Sequence, residues 1–186
     1  TIVSLLAISN VIESGYQCAL MGPTEILAKQ HFELAKKIYK DTNFKIDFLT
    51  GKTDTKDRKK ILKNLESGKT NLLIGTHALF QKNIYFKKLG LAIIDEQHKF
   101  GVKQRSELAK KGGNNCDVLL MSATPIPRTM MMSLYGDMDI SKITEKPANR
   151  KKINTISKPE KKINELWPYI KKQIFNQNQI FWVCPL

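Results

Sequence analysis

The sequence predicts an α/β fold in which a parallel sheet carries helices on both of its faces. Patterns typical of helices alternate with short apolar runs along most of the 186 residues, as they do where crossover helices join parallel strands. The runs are continuously apolar, as in Leu91-Ala92-Ile93-Ile94, and strands of this kind are buried on both faces. Polar loops follow several of these runs, which places them at the edge of the sheet where open α/β folds bind ligands.

Local end signals set the limits of the elements up to residue 121. Apolar residues recur at helical spacing from Thr1 to Glu13, and Gly15 follows them as a helix C-terminal signal. Thr24 is a suitable N-cap, with Glu25 in the first turn behind it. The predicted elements are helices over 1–13, 24–39 and 54–65 and strands over 17–21, 44–49, 72–74, 91–94 and 118–121, with Ile2, Leu5, Leu6, Ile8, Val11, Ile12, Ile26, Leu27, Phe32, Leu34 and Ile38 available for the core.

The pattern changes after Pro147, where a strand over 153–156, a helix over 160–175 and a strand over 179–183 are predicted. Three cysteines are spread along the chain without a second ligand nearby, so neither a disulfide nor a zinc site is indicated. Two of them, Cys18 and Cys184, lie in strand-like runs and are expected in the core.

The charge indicates a polyanionic partner. The formal net charge is +14, and lysines that neutralise phosphates supply affinity that is independent of sequence. A coding bias towards lysine, isoleucine and asparagine is the alternative explanation of the same composition. No recognition-helix or RNA-binding aromatic signature is present, so any DNA contact is expected at the backbone.

No apolar run approaches the roughly 20 residues that a membrane-spanning helix needs. The N-terminus has no basic region before its apolar stretch, so it does not resemble a secretory signal. We therefore expect a cytoplasmic protein without membrane association.

Two acids, Asp95 and Glu96, follow the apolar strand over 91–94 directly, which is the layout of a Walker B site. In such a site Asp95 holds the Mg²⁺ of a nucleoside triphosphate, and Glu96 orients or deprotonates the attacking water. The alternative is an ordinary strand end before a turn. An unrelated metal-dependent phosphatase or nuclease on the same sheet would need several further convergent acids.

Several short segments resemble conserved motifs of the superfamily-two helicases. Residues 23–25 resemble motif Ia, residues 95–98 resemble motif II, and residues 122–124 resemble motif III. The longer strings over 95–102, 123–129 and 134–141 are most similar to the RecG family of bacterial ATP-dependent DNA helicases, which remodel stalled forks and branched DNA. The Mfd translocases share the Thr-Pro-Ile-Pro-Arg-Thr string over 124–129. An Mfd-like translocase of double-stranded DNA and a nucleic-acid-binding module that does not hydrolyse ATP are the alternatives.

The resemblance implies ATP and Mg²⁺ as cofactors and DNA as the partner. It assigns catalysis to Asp95, Glu96 and His98, with His98 sensing the γ-phosphate. Ser122 and Thr124 are expected to hydrogen-bond Asp95 or His98. The implied cofactor-binding residues are Thr1, Gln97, Ser122, Thr124 and Arg128, the implied Mg²⁺ ligands are Asp95 and Thr1, and the implied contacts to the DNA backbone are Pro23, Thr24, Glu25, Thr50, Gly51, Thr76 and His77.

The same resemblance implies a RecA-like lobe of the P-loop NTPase fold. Neither Gly51-Lys52-Thr53 nor Gly68-Lys69-Thr70 completes a P-loop, because Ile46 and Lys63 stand where its first glycine is required. Thr1 then corresponds to the last P-loop residue, and the chain is expected to be cut at both ends and inactive by itself. Residues 1–148 would form the first motor lobe and residues 149–186 the linker and the start of the second, in a monomeric, nucleoid-associated bacterial protein.

Overall fold

Five parallel strands form one sheet in the computed structural model, which describes residues 1–81, 83–96, 111, 116–124, 139–145 and 153–184. The chain divides into two compact units, Thr1–Ile140 and Ser141–Leu186, and the sheet belongs to the first. The order of its strands is β2-β3-β1-β4-β5, and every pair of neighbours is parallel. The predicted fold class is confirmed. The strands are β1 (Gln17–Met21), β2 (Ile46–Leu49), β3 (Leu72–Gly75), β4 (Leu89–Ile94) and β5 (Asp117–Leu120).

Helices cover both faces of the sheet, as the continuous apolar strands require. Alternate residues of one strand point to opposite faces, so Cys18 and Leu20 of β1 enter one core and Ala19 and Met21 enter the other. The first core is closed by α1 (Ile2–Glu13) and α2 (Glu25–Ile38). The second is closed by α3 (Thr55–Glu66) and by a 3-10 turn, His77–Phe80.

The sequence placed α2 correctly and its buried face in part, since Phe32 and Leu34, expected in the core, are half-buried and pack against it. Thr24 caps the helix as predicted, because its Oγ1 accepts a hydrogen bond from the backbone N–H of Leu27 at 3.3 Å. Ile26, expected in the core, is 72% exposed. The most deeply buried residues of this helix are Ala28, His31 and Ala35, whose spacing of three and four places them on one face.

The side-chain amide of Gln17 joins three segments at the amino ends of the strands. Its Nε2 donates to the backbone carbonyls of Leu65 and Thr70, at 2.9 and 2.7 Å, and its Oε1 accepts from the backbone N–H of Lys88 at 2.9 Å. Gln17 is buried, so these bonds satisfy polar groups that have little access to water. This amide fixes the start of β1 against the end of α3 and the start of β4.

The second unit contains a 3-10 turn, Glu160–Glu165, followed by α4 (Leu166–Phe175). Neither of the strands predicted over 153–156 and 179–183 forms, and that prediction was wrong. A strand needs a hydrogen-bonded neighbour, and the described part of this unit contains none. The ring of Trp182 instead stacks on that of Trp167, with centroids 5.6 Å apart. Cys184, expected in a core, is exposed, whereas Cys18 is buried as predicted.

No helix within the described residues is long and apolar enough to cross a membrane.

Candidate functional site

The carboxyl ends of the strands bring the predicted polar loops to one edge of the sheet. Backbone hydrogen bonds continue past the strand ends, from Asp95 N to Met21 O at 2.9 Å and from Gly22 N to Gly75 O at 2.9 Å. The strand order therefore arranges the loops, across the edge, as 50–53, 76–77, 22–25, 95–96 and 121–124. The loops expected to contact DNA lie on one side, and the two acids lie beside them on the other.

Both carboxylate oxygens of Asp95 have defined partners. Its Oδ2 lies 2.7 Å from Nε2 of His31, and its Oδ1 accepts the backbone N–H of Glu96 at 3.0 Å. The hydrogen bond from His31 is the main cause that holds the pKa of Asp95 below its usual value, against the opposing effect of burial. The imidazole charge and the Glu96 amide lower this pKa further. Asp95 therefore stays ionised, as a metal ligand must.

His31 was missed by the sequence analysis, although its Nε2 lies 2.7 Å from the Asp95 carboxylate. Its side chain is 9% exposed, and it lies in the middle of α2 on the face that otherwise buries alanines. A signal was present in the sequence. His31 has the spacing of Ala28 and Ala35, and this stripe of mostly small residues competes with the larger apolar side chains for the buried face.

Glu96 has a backbone φ of 49°, in the left-handed region that side chains other than glycine rarely adopt. Such a conformation costs of order 1–3 kcal/mol and is found more often at active sites than elsewhere. Glu96 is the second residue after the end of β4. The second predicted acid is therefore held in an unusual conformation beside the first.

Thr1 stands at the start of α1, which packs against β4 in the first core. It is the N-cap of α1, and its hydroxyl makes no capping hydrogen bond, whereas Ser4 Oγ donates to the Thr1 carbonyl at 2.6 Å. Since helix N-termini favour anions, the start of α1 is a suitable place for a phosphate.

The residues fit Mg²⁺ in the way that nucleotide-dependent enzymes bind it. Mg²⁺ prefers oxygen ligands and is usually held by one or two carboxylates together with substrate phosphates and water. Asp95 and the hydroxyl of Thr1 are ligands of this kind. The described residues contain no group of three or more His, Cys, Asp or Glu side chains that could hold a metal.

Ser122 and Thr124 stand in the loop after β5, next to the acids in strand order, but they pair with each other. Ser122 Oγ donates to the Thr124 carbonyl at 3.0 Å and accepts the Thr124 N–H at 3.2 Å. The partners of the Asp95 carboxylate are His31 and Glu96. The expected hydrogen bond from this loop to Asp95 is therefore absent among the described residues, because the hydroxyl closes its own turn. Gln97, His98 and Arg128 lie outside the described residues.

The loops expected to contact DNA separate into exposed and buried residues. Thr24, Gly51 and His77 are exposed, whereas Thr50 and Thr76 are buried. The hydroxyl of Thr50 accepts the N–H of Lys52, so it shapes its own turn. Pro23 and Glu25 are partly exposed.

The sequence analysis also missed Lys52 as a residue of this edge. Its Nζ lies 3.0 Å from Oε2 of Glu25, which joins the loop after β2 to the start of α2. Both partners are accessible to solvent, and such a pair adds little to stability. Glu25 acts here as the partner of a lysine.

The parallel sheet, the acids after β4 and the neighbouring polar loops define a RecA-like α/β fold. The chain belongs to the DEAD/DEAH box helicase family, whose sequence model matches residues 1–133. It is 44% identical over 186 residues to the ATP-dependent DNA helicase RecG of Thermotoga maritima and 42% identical to RecG of Bacillus subtilis. Both alignments include all of this chain. The predicted resemblance to RecG is confirmed.

A solved structure of RecG bound to a three-way DNA junction superposes with a TM-score of 0.81 at 40% identity. The superposition covers 100% of this chain and 25% of that one. The chain spans about a quarter of the length of the curated relatives named above, with 24% and 27% of their lengths covered.

Proposed function

We propose that the protein is an ATP-dependent DNA helicase of the RecG type, which remodels branched DNA and stalled forks. The observation that carries the proposal is the position of Asp95 and Glu96 at the carboxyl end of β4, in a chain that is 40–44% identical along its whole length to the RecG helicases named above. The proposal places the protein in the bacterial cytoplasm, on the nucleoid, as a monomer. Residues 1–148 are proposed as the first motor lobe, and residues 149–186 as the linker and first elements of the second.

The nucleotide side of the site is proposed at the start of α1 and the end of β4. Asp95 and the Thr1 hydroxyl would hold Mg²⁺, which when bound neutralises charge on the phosphates of ATP. The Glu96 carboxylate orients the attacking water and accepts its proton. We propose that Gln97, His98 and Arg128, with Ser122 and Thr124, complete this side, and that His98 senses the γ-phosphate.

The DNA side is proposed across the loops that follow β1, β2 and β3. Exposed Thr24, Gly51 and His77 are suited to contact phosphodiester oxygens, and Pro23 and Glu25 lie at the same helix start. Buried Thr50 and Thr76 shape the loops that carry these contacts. Such contacts position the protein on the backbone without reading the bases. The net charge of +14 adds a field that favours any nucleic acid.

The test is ATP turnover by the complete gene product with no DNA, with linear duplex and with a three-way junction. We expect the junction to stimulate turnover most. We expect Glu96→Gln to lower stimulated turnover by about 10²–10⁴-fold, the range for loss of a general base, while the binding of a fluorescent ATP analogue is unchanged. Glu33→Gln is the matched control, since it makes the same chemical change on the exposed face of α2.

Near-normal turnover by the Glu96→Gln variant would contradict the proposed site. Equal stimulation by linear duplex and junction would favour a double-stranded DNA translocase of the Mfd type. DNA binding by a wild-type protein that hydrolyses no ATP would favour a binding module.

A further inference from the structure

We propose that His31 is a positioning residue for Asp95, which holds its carboxylate in the orientation needed to bind the metal ion of the nucleotide. The inference deepens the proposed function and rests on it, because it assigns a role towards the ligand that Asp95 is proposed to hold. It starts from the 2.7 Å contact between His31 Nε2 and Asp95 Oδ2.

The contact fixes the side chain of Asp95, which lies just beyond the end of β4. Asp95 belongs to the turn after the last residue of β4, where the backbone changes direction at Glu96. One carboxylate oxygen is held by the Glu96 N–H and the other by His31, so rotation of the carboxylate breaks at least one hydrogen bond. Without the imidazole, the contact that remains among the described residues is the local one from the adjacent Glu96.

Packing alone does not explain a histidine at this position. The neighbours of His31 on the buried face of α2 are Ala28 and Ala35, and an apolar side chain would fill the space without placing a polar ring in an interior. A buried pair of this kind is weak evidence for stability, since an apolar replacement is often neutral or stabilising. Hydrogen-bonding partners of metal-ligating side chains, by contrast, orient the ligand, and their loss typically lowers metal affinity or activity by about 10–100-fold.

The helix that carries His31 is itself fixed at the functional edge. Gly22, just before α2, approaches the first turn so closely that a Cβ at this position would lie 2.9 Å from the backbone nitrogen of Ala28. The Thr24 cap then sets where the helix begins. The position of His31 along the sheet edge is thereby determined by elements that also belong to the site.

The experiment measures the binding of Mn²⁺, a paramagnetic substitute for Mg²⁺, to the complete gene product in the presence of a non-hydrolysable ATP analogue. Electron paramagnetic resonance reports the free ion, so the readout does not depend on turnover. The variants are His31→Leu, which removes the hydrogen bond, and His31→Gln, whose amide can still donate to Asp95. Tyr39→Phe is the matched control, because it removes another buried hydrogen bond that the same helix region makes, to the carbonyl of Leu5.

We expect His31→Leu to bind Mn²⁺ about 10–100-fold more weakly than wild type. We expect His31→Gln to recover most of this loss and Tyr39→Phe to bind as wild type does. The inference is overturned if His31→Leu binds Mn²⁺ like wild type, if His31→Gln is as weak as His31→Leu, or if Tyr39→Phe shows the same loss.

Asp95→Asn separates this inference from the proposed function. Loss of Mn²⁺ binding in Asp95→Asn together with normal binding in His31→Leu would remove the role of His31 and leave the proposed site intact. Normal Mn²⁺ binding in Asp95→Asn would instead show that Asp95 does not hold the metal, and both proposals would fail.

Discussion

The Nε2 atom of His31 lies 2.7 Å from the Oδ2 atom of Asp95, although the two residues are 64 positions apart in the chain. The contact joins the middle of α2 to the acid at the end of β4. The same helix begins at Thr24, in a loop proposed to contact DNA. One rigid element therefore touches both the DNA side and the nucleotide side of the proposed site.

The first prediction concerns DNA binding at the loop edge. We expect Lys52→Gln/His77→Ala to weaken DNA binding for all sequences alike and to reduce the slope of log affinity against log salt by about one, because one phosphate contact is lost. Lys56→Gln/Lys59→Gln on exposed positions of α3 is the control, and it removes more charge. A salt titration of binding to one labelled duplex compares the three proteins. If only the α3 variant loses affinity, the general charge of the protein explains binding and the loops do not.

The second prediction concerns the close approach of β2 and β3 beside the site. A Cβ at Gly75 would lie 2.0 Å from the carbonyl oxygen of Leu49, so the backbones must separate to accept it. We expect Gly75→Ala to lower the free energy of unfolding by about 1–3 kcal/mol or more, as overpacking does. Gly51→Ala is the control, since nothing lies within 4 Å of a Cβ there. The midpoints of thermal unfolding of the two variants measure this effect. Equal midpoints would show that β2 and β3 separate at little cost.

The third prediction tests the amide of Gln17. Gln17→Leu keeps the approximate size of the side chain but leaves the Lys88 N–H and the Leu65 and Thr70 carbonyls without this partner. We expect a loss of about 1–3 kcal/mol in the free energy of unfolding for buried groups left unsatisfied. Gln30→Leu makes the same change at an exposed position of α2 and should cost much less. Denaturant titrations measure the free energy of unfolding of both variants. Equal losses would mean that the hydrogen bonds of Gln17 do not contribute to stability.

The fourth prediction follows from the buried thiol of Cys18. Burial is the main cause that raises its pKa from 9.0 to about 12, and the nearby Cys116 thiol adds to the effect. The unfolded protein therefore releases this proton at a lower pH than the folded protein. The stabilisation is complete below pH 9 and is lost as pH rises from 9 towards 12, by about 1.4 kcal/mol for each pH unit.

Free energies of unfolding at pH 8 and pH 10, for wild type and Cys18→Ala, measure this effect. The advantage of wild type over Cys18→Ala should shrink at the higher pH. A thiol reagent should modify exposed Cys184 in the folded protein and reach Cys18 only on unfolding. Rapid labelling of Cys18 in the folded protein, or a difference between the variants that stays constant with pH, would contradict the prediction.

The second unit shows where local pattern was insufficient. The apolar runs over 153–156 and 179–183 have the composition of strands, yet neither pairs with a neighbour. Helices were predicted more accurately there, since α4 and the turn before it fill the range 160–175. A helix makes its hydrogen bonds within its own segment, whereas a strand depends on a partner from elsewhere in the chain.

The sequence by itself determined the alternation of helices and strands, most of their limits and the position of Asp95 and Glu96 at a strand end. Apolar period, caps and strand ends are local properties, so they can be predicted from neighbouring residues. Only the tertiary structure decided that α2 buries His31 while Ile26 is exposed, that Lys52 pairs with Glu25, and that Ser122 pairs within its own turn. The first two depend on which segments pack side by side, and the third on a choice between hydrogen-bond partners that a residue pattern does not fix.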